Sequence, residues 1–164
     1  MARIYLSLGS NIGDRAGTIA RAVAALGARG VRVVRESSLY ETEPVDFREQ
    51  AWFLNAVVEG ETDLAPRELL EMLLAVEREL GRERRANRVP KGPRIIDIDL
   101  LLFGEQVIHS PVLDVPHPRM AERRFVLVPL AEIAPGARHP ALSKTAEELL
   151  AETSDRSEVR RWRK

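Results

Sequence analysis

An α+β sandwich of ferredoxin-like topology, with helices on one face of an antiparallel sheet, is the fold that this sequence predicts. The prediction depends on the order of the elements, which is strand, helix, strand, strand, helix, strand and then a helical tail. It also depends on length, because 164 residues are typical of one domain. We therefore expect a single domain over residues 1–164.

Composition and charge exclude several classes of protein. The sequence has no cysteine, which excludes disulfides and thiolate metal sites. Its formal net charge is zero, so electrostatics gives no reason to expect binding to nucleic acid or to an anionic membrane. The apolar run in residues 1–6 is too short for a signal peptide, and no segment approaches the roughly 18 apolar residues of a membrane span. We expect a cytoplasmic, monomeric protein whose partners are small molecules.

Residues 3–28 predict a strand followed by a helix. Apolar side chains alternate with polar ones over residues 3–8, as in a strand with one buried face. The turn at residues 9–14 is typical of a strand-to-helix connection, with phosphate binding at a glycine-bearing turn as the alternative. Asp14 is then the expected N-cap of a helix over residues 15–28.

Two further strands are expected before the second helix. β-Branched residues over 31–42 predict the second strand, with a bend at residues 36–38. Residues 52–58 predict the third strand, in which Phe53 and Asn55 point to the same face. A ring beside a carboxamide can stack on a flat heterocycle and bond to its edge, although an ordinary sheet face with one polar residue is the alternative.

A second helix and a basic loop follow. Pro66 is expected in the first turn of the helix and Gly81 at its end. The buried stripe of this helix consists of Leu69, Leu73, Val76 and Leu80. The loop that follows is rich in basic residues, namely Arg78, Arg82, Arg84, Arg85, Arg88, Lys91 and Arg94. Such a run is usually a solvated surface, but its position directly before a strand with two aspartates favours a polyphosphate substrate.

The strand with two aspartates is expected over residues 95–103. Asp97 and Asp99 share one face, because strand residues two apart point the same way and lie about 6.6 Å apart. Two carboxylates at that separation repel by about 2.4 kcal/mol at an effective dielectric near 20, so a cation is expected beside them. Magnesium typically takes one or two carboxylates plus substrate phosphates, and Arg94 is a nearby phosphate donor. The alternative is a solvated strand face with two aspartates of no function.

The last part of the sequence predicts mainly helices. His117 lies between two prolines and is either a ligand or a structural residue. An apolar helix is expected over residues 126–133, with Pro129 in its first turn or at a kink. Ser143 is expected to begin a last helix, and the polar, basic tail over residues 155–164 indicates no chemistry.

Several blocks of sequence occur together in one order along most of the chain. They are Leu-Ser-Leu-Gly-Ser-Asn-Ile-Gly-Asp at 6–14, Tyr-Glu-Thr-Glu-Pro-Val at 40–45, Phe-Leu-Asn-Ala at 53–56, Gly-Pro-Arg at 92–94 with Asp-Ile-Asp at 97–99, and Pro-His-Pro-Arg-Met at 116–120. Through these blocks the chain resembles the 6-hydroxymethyl-7,8-dihydropterin pyrophosphokinase family of folate biosynthesis. The Gly-Pro-Arg-x-x-Asp-x-Asp run together with the Pro-His pair is highly specific.

The resemblance implies a reaction in which ATP donates its terminal pyrophosphate to the hydroxymethyl group of a reduced pterin, releasing AMP. It implies two Mg²⁺ ions bound by Asp97 and Asp99. The catalytic residues that it implies are Arg82, Arg94, Asp97 and Asp99. The pterin-binding residues would be Thr42, Pro44, Phe53, Asn55, Arg123 and Phe125. The nucleotide-binding residues would be Glu77, Arg84, Arg88, Ile98 and His117.

Two other functions stay open at the level of the sequence. Two-metal nucleotidyl transferases and cyclases also place aspartates on a ferredoxin-like sheet, but they release pyrophosphate from a nucleotide and not AMP. A regulatory domain that binds a small molecule would need neither the aspartates nor the basic loop. No P-loop and no dinucleotide-binding glycine motif occurs in the sequence, so those two modes of nucleotide binding are unsupported.

Overall fold

The computed structural model describes residues 1–44, 49–81 and 95–163. The strands of the first two thirds are β1 (Ala2–Ser10), β2 (Val31–Glu36), β3 (Tyr40–Thr42), β4 (Phe53–Thr62) and β5 (Asp97–Phe103), and the helices among them are α1 (Arg15–Ala28) and α2 (Pro66–Glu79). The remaining elements are β6 (Ile108–His109), β7 (Asp114–Val115), a 3₁₀ turn (Met120–Glu122), α3 (Arg124–Ile133), β8 (Arg138–His139), β9 (Lys144–Thr145), α4 (Ala146–Glu152) and β10 (Val159–Arg161).

The main sheet is antiparallel, and β4 and β1 lie at its centre. β1 pairs with β4 along its full length, and β5 pairs with the other edge of β1. β2 and β3 pair one after the other with the second edge of β4. The order β5, β1, β4 and then β2 with β3, with α1 and α2 packed on one face, is the ferredoxin-like arrangement that the sequence predicts.

A bend at Ser37 divides the predicted second strand into β2 and β3. The Ser37 N–H donates to the carbonyl of Val57 over 2.9 Å, and the Ser37 hydroxyl accepts from the Val57 N–H over 2.9 Å. These two bonds satisfy the backbone of β4 at the point where its neighbour turns. The predicted bend at residues 36–38 is therefore confirmed.

The core between the sheet and α1 and α2 follows the predicted apolar stripes. From β1 it takes Ile4, Leu6 and Leu8, and from the helices it takes Ile19, Leu26, Leu69, Leu73 and Val76. Asp14 caps α1, because its Oδ1 accepts from the Gly17 N–H over 3.1 Å. Gly81 ends α2 with a φ of +102°, a backbone conformation that glycine adopts without strain. The predicted ends of both helices are thus confirmed.

Helix α3 covers part of the opposite face of the sheet. Its Val126 and Leu130 pack with Val57 of β4 and Leu101 of β5 in a second apolar cluster. Pro129 lies in the second turn of α3, which excludes the first of the two predicted positions, the first turn. Proline has no N–H, and the carbonyl of Phe125 therefore lacks the helical donor that position 129 would otherwise supply.

The C-terminal region differs from the prediction in two places. The last helix is capped by Thr145 and not by Ser143, which has a φ of +56°. The Thr145 hydroxyl accepts from the Glu148 N–H over 3.2 Å, and the Glu148 carboxylate accepts from the Thr145 N–H over 2.9 Å, so the two form a capping box. β10, which the sequence does not predict, adds to the sheet beside β3. None of the helices in the described ranges is both long and apolar enough to cross a bilayer.

Candidate active site

The register of three strands brings the predicted polar residues onto the face opposite α1 and α2. Gly9 of β1 lies opposite Asn55 of β4 on one side and opposite Asp97 of β5 on the other. Ser7, two residues earlier on β1, lies opposite Asp99. Since residues two apart point to one face, Asn55, Asp97 and Asp99 lie on the same side of the sheet, as predicted.

The two aspartates flank a residue whose backbone is held from the helical side. Asp97 and Asp99 are half-buried, whereas Ile98 between them is buried. The Ile98 N–H donates over 2.7 Å to Oε2 of Glu77, a side chain of α2 that is only 4% exposed. Glu77 therefore fixes the backbone between the two aspartates, a contact that sequence reasoning does not predict.

His117 lies beside the second aspartate. Its N–H donates to the Leu101 carbonyl over 2.9 Å, which ties the histidine backbone to β5. Its Nδ1 accepts from the Arg119 N–H over 3.1 Å, so in the neutral ring the proton is on Nε2. Nε2 lies 3.9 Å from Oδ2 of Asp99. The structure thus brings together a predicted nucleotide-binding residue and a predicted metal ligand.

Asn55 and Thr42 form a buried polar pair on the same face of the sheet. The Asn55 carboxamide donates to Oγ1 of Thr42 over 2.6 Å, and the two residues are 4% and 2% exposed. This bond leaves the carboxamide oxygen and the threonine hydroxyl proton for a ligand or for neighbouring groups. Pro44, the other predicted pterin-binding residue in this segment, is also buried.

Gly9 is a site residue that the sequence analysis assigns only to a turn. It lies inside β1, and a Cβ at this position would come within 2.5 Å of Oδ1 of Asn55 and 3.5 Å of the Phe53 ring. Only glycine at this position leaves room for the Asn55 carboxamide between the Phe53 ring and the aspartates of β5. Extending the alternation of residues 3–8 by one residue would have placed Gly9 inside the first strand, on the polar face of the sheet.

Arg123 and Phe125 lie at the start of α3, on the same side of the sheet. The guanidinium carbon of Arg123 is 5.4 Å from the centre of the Phe125 ring, within cation–π range. Arg123 is 7% exposed, and its Nε has no hydrogen-bond partner among the described residues. A buried guanidinium nitrogen of this kind is suited to a polar or anionic ligand.

Four predicted residues lie outside the described ranges: Arg82, Arg84, Arg88 and Arg94. Within residues 1–44, 49–81 and 95–163 there is no group of three or more histidine, cysteine, aspartate or glutamate side chains that could hold a metal ion. Asp97 and Asp99 nevertheless fit Mg²⁺, which typically uses one or two carboxylates and completes its shell with water and substrate phosphates.

The fold and the site together define a class: a ferredoxin-like α+β domain whose open sheet face presents paired carboxylates next to a buried carboxamide and aromatic side chains. Comparison with known families assigns the chain within this class. The model of the 7,8-dihydro-6-hydroxymethylpterin-pyrophosphokinase (HPPK) family matches residues 5–135. The chain belongs to the HPPK family.

Curated relatives agree with this assignment. The chain is 49% identical to the 2-amino-4-hydroxy-6-hydroxymethyldihydropteridine pyrophosphokinase of Bacillus subtilis over 97% of this chain and 89% of the relative. It is 41% identical to the protein of the same name from Aquifex aeolicus over 94% of each chain. The folic acid synthesis protein fol1 of Pneumocystis carinii is 43% identical over 84% of this chain, which spans 18% of that longer protein.

Solved structures show the same fold. The wild-type HPPK-DHPS chain of Plasmodium falciparum, solved with SDX-DHP, matches with a TM-score of 0.70 at 18% identity and covers 93% of this chain. The A437G form of that protein with SDX-DHP matches with a TM-score of 0.73. The present chain spans 43% and 45% of those two chains, less than half of their length.

Proposed function

We propose that the polar face of the sheet, from Thr42 and Asn55 to Asp97 and Asp99, is where this enzyme binds its two substrates. The chain is an HPPK: it transfers pyrophosphate from ATP to the hydroxymethyl group of 6-hydroxymethyl-7,8-dihydropterin, in folate biosynthesis. The observation that supports the placement of the site is the row formed by Asn55, Gly9 and Asp97. In this row, Gly9 of β1 lies between the Asn55 carboxamide, which is suited to the pterin, and the Asp97 carboxylate, which is suited to the metal.

The pterin would bind at the Asn55 end of this row. Its flat ring suits stacking on Phe53 and Phe125. Its polar edge suits the buried pair of Asn55 and Thr42, whose hydrogen bond of 2.6 Å holds both groups in fixed directions. Pro44 and Arg123 complete the set that we assign to the pterin.

Two Mg²⁺ ions would bind at Asp97 and Asp99, which present hard oxygen ligands on one face of β5. When bound, such ions neutralise the charge of the phosphates and orient them for transfer. Glu77 contributes from the other side of the sheet by holding the Ile98 N–H, so that the carboxylates on either side keep their direction. We assign no third carboxylate to the metals.

The ATP would extend from the metals towards His117 and Ile98. His117 presents Nε2–H beside Asp99 and can donate to a phosphate or ribose oxygen. Arg82, Arg94, Arg84 and Arg88 are proposed to bind the phosphates, because a guanidinium matches phosphate geometry with two donors.

The chemistry of this arrangement depends on position and charge. Transfer to the hydroxymethyl oxygen requires that oxygen to lie in line with the phosphorus under attack, and stacking of the ring fixes where it lies. Cationic groups around the phosphates then stabilise the charge of a loose transition state. No described side chain needs to be a strong base for this kind of transfer.

The test is an assay with purified protein, Mg²⁺, ATP and the reduced pterin alcohol, in which nucleotide products are separated by chromatography. AMP and the pterin pyrophosphate should form in equal amounts, and neither should form when the pterin is omitted. Release of free pyrophosphate from ATP would instead indicate the nucleotidyl transferase or cyclase chemistry. Binding of the pterin without any turnover would indicate the regulatory domain.

A further inference from the structure

Residues 155–161, which we call the C-terminal segment, contact Thr42 of the proposed pterin site and the residues directly before Phe53 and Phe125. The HPPK family model matches residues 5–135, so this segment lies outside the matched region. Its contacts reach the first turn of α3, the outer edge of β3 and the start of β4.

The first contact is between Asp155 and the start of α3. The N-cap residue of α3, Arg123, makes no side-chain capping bond. Oδ2 of Asp155 instead accepts from the Arg124 N–H over 2.8 Å, and a carboxylate at a helix N-terminus also interacts favourably with the helix dipole. Oδ1 of Asp155 accepts from the N–H of Ser157 over 2.9 Å, which fixes the carboxylate itself. Asp155 thus holds the turn that carries Phe125.

The second contact is the pairing of β10 with β3. Val159 lies opposite Thr42, and the Glu43 N–H extends the pairing by donating to the Glu158 carbonyl over 3.1 Å. β3 is three residues long, and without β10 it would be a short edge strand. β10 therefore holds the backbone of Thr42, the residue that accepts the hydrogen bond from Asn55.

The third contact is between Arg160 and Trp52. The guanidinium carbon of Arg160 lies 4.7 Å from the centre of the Trp52 ring, and its Nη2 donates to Oε1 of Glu41 over 2.9 Å. The Trp52 carbonyl is held as well, since it accepts from Nη1 of Arg15 over 2.9 Å. Trp52 directly precedes Phe53, so these contacts hold the start of the strand that carries the second aromatic ring.

We propose that the C-terminal segment positions the pterin site, with Asp155 and Arg160 as positioning residues for Phe125 and Phe53. Asp155 acts through Arg124, and Arg160 acts through Trp52. Together they connect, within six residues of chain, the two elements whose rings would stack on the pterin. This inference rests on the proposed function.

The experiment compares two variants of the segment with two matched controls. Asp155→Ala removes the bond to α3, and Arg160→Ala removes the contact with Trp52. Thr145→Ala removes the cap of α4, and Arg32→Ala removes the ion pair of Arg32 with Glu61 at the far end of β4. For each protein we would measure Tm and, at 25 °C, KM for the pterin, KM for ATP and kcat.

The expected result is a rise in the pterin KM of about fivefold for Asp155→Ala, the factor that corresponds to the free energy of a typical helix cap. Arg160→Ala should raise the pterin KM in the same direction, while the ATP KM of both variants stays within about twofold. The two controls should lower Tm to a similar extent without changing the pterin KM. Asp155→Asn keeps one acceptor oxygen but places its NH₂ group against either the Arg124 N–H or the Ser157 N–H, so its pterin KM should lie between those of the wild type and Asp155→Ala.

Equal pterin KM values in the segment variants and the controls would overturn the inference, because the segment would then only stabilise the fold. Pterin binding measured by calorimetry, with a non-hydrolysable ATP analogue and Mg²⁺ present, separates this result from failure of the proposed function. A wild-type protein that neither binds the pterin nor forms AMP would refute the proposed function. A wild-type protein that binds it no better than Asp155→Ala and Arg160→Ala would refute the inference alone. If Asp155→Ala does not fold, Asp155→Asn and Arg160→Ala decide the question by the same measurements.

Discussion

At the scale of single residues, the site is organised by the absence of one side chain. Gly9 lies between Asn55 and Asp97, and the space that a Cβ would occupy contains the Asn55 carboxamide. The same carboxamide bonds to Thr42, so displacing it would disturb two of the residues that we assign to the pterin. The row tolerates only glycine at this position.

Replacing this glycine should therefore affect one substrate more than the other. We expect Gly9→Ala to raise the pterin KM by about tenfold or more, since a buried amide pushed off its partner loses its hydrogen bond and its direction. The ATP KM should change much less. Steady-state kinetics with each substrate varied in turn would measure both values.

Gly27→Ala is the matched control for this substitution. A Cβ at Gly27, near the end of α1, would meet no heavy atom within 4 Å. Alanine in a helix is favoured over glycine by about 0.5–1 kcal/mol, so this variant should be more stable and equally active. A Gly9→Ala enzyme with unchanged pterin KM would contradict our placement of Asn55 in the pterin site.

The two aspartates should matter for turnover and not for pterin binding. Asp97→Asn and Asp99→Asn each remove one charged ligand while keeping the shape of the side chain. Because metal ions supply several kcal/mol of charge stabilisation in such reactions, we expect kcat to fall at least about a hundredfold in each variant. Calorimetry of pterin binding in the same variants should give a Kd within about threefold of the wild type. Retained turnover in either variant would remove that aspartate from the metal site.

Residue chemistry explains how much of the site is predictable from the sequence. Asp97 and Asp99 stand out because aspartate is rare in buried strands, and alternation alone places them on one face of their strand. Their place on the same face of the sheet as Asn55 follows from the predicted fold and not from alternation. Thr42 joins Asn55 only through strand pairing, which the sequence implies through a family resemblance and not through local pattern. The bond from Ile98 to Glu77 is not predictable, because it joins a backbone group to a helix twenty-one residues earlier in the chain.

At the scale of the elements, the apolar patterns predict the strands and helices that pack against the core. α2 has its buried leucines at the expected spacing, and β1 and β4 alternate as expected. The predictions fail at an element that is mostly exposed and at a proline inside a helix. β10 is short and mostly exposed, so pairing with β3 and not hydrophobicity determines it. Pro129 is tolerated in the second turn of α3, where packing against the sheet supports the helix.

The buried apolar face of α2 leads to a prediction about stability. Leu69 is fully buried against the sheet, and Leu69→Ala should lower the free energy of unfolding by about 2–5 kcal/mol, because it removes apolar contacts and leaves a cavity. Leu74, on the same helix, is 43% exposed, and Leu74→Ala should change the free energy of unfolding by no more than about 0.5 kcal/mol. Urea titrations of the two variants would measure the difference. Equal losses would contradict the packing of α2 described above.

At the scale of the whole molecule, a single carboxylate connects three separate parts of the fold. Glu132 of α3 accepts from the N–H and hydroxyl of Ser38, over 2.9 and 2.7 Å, and from the hydroxyl of Tyr40 over 3.1 Å. Arg161 of β10 donates to it over 3.2 Å. Burial acts to raise the pKa of Glu132, but these hydrogen bonds and the nearby guanidinium outweigh it, so that the pKa lies below its ordinary value of 4.5.

This lowered pKa determines the direction of a pH effect on stability. A group whose pKa is lower in the folded state stabilises the fold above its unfolded pKa, and this contribution is lost as pH falls through the folded pKa. We expect the wild type to lose more stability than Glu132→Gln between about pH 5 and pH 3. Denaturant titrations across this range would measure it, with Glu105→Gln in an exposed turn as the control. A wild-type stability curve parallel to that of Glu132→Gln would contradict the assignment.

The extent of the domain and the oligomeric state stay predictions: a single domain over residues 1–164, and a monomer. Light scattering after size exclusion should give a mass of 18.4 kDa, the mass of one chain. A mass twice as large would refute the monomer.

The direction of β1 has a practical consequence for how this enzyme can be handled. Ala2 pairs with Thr62, whereas Gly9 pairs with Asn55, so the amino end of the strand lies about 23 Å from the row that binds substrate. β10 runs away from the pterin site along the edge of the sheet, because Val159 lies opposite Thr42, whereas the Trp162 N–H donates to the Leu39 carbonyl and Trp162 packs against the core beneath α1 and α2. A purification tag or fusion partner joined through Met1 should therefore leave catalysis intact.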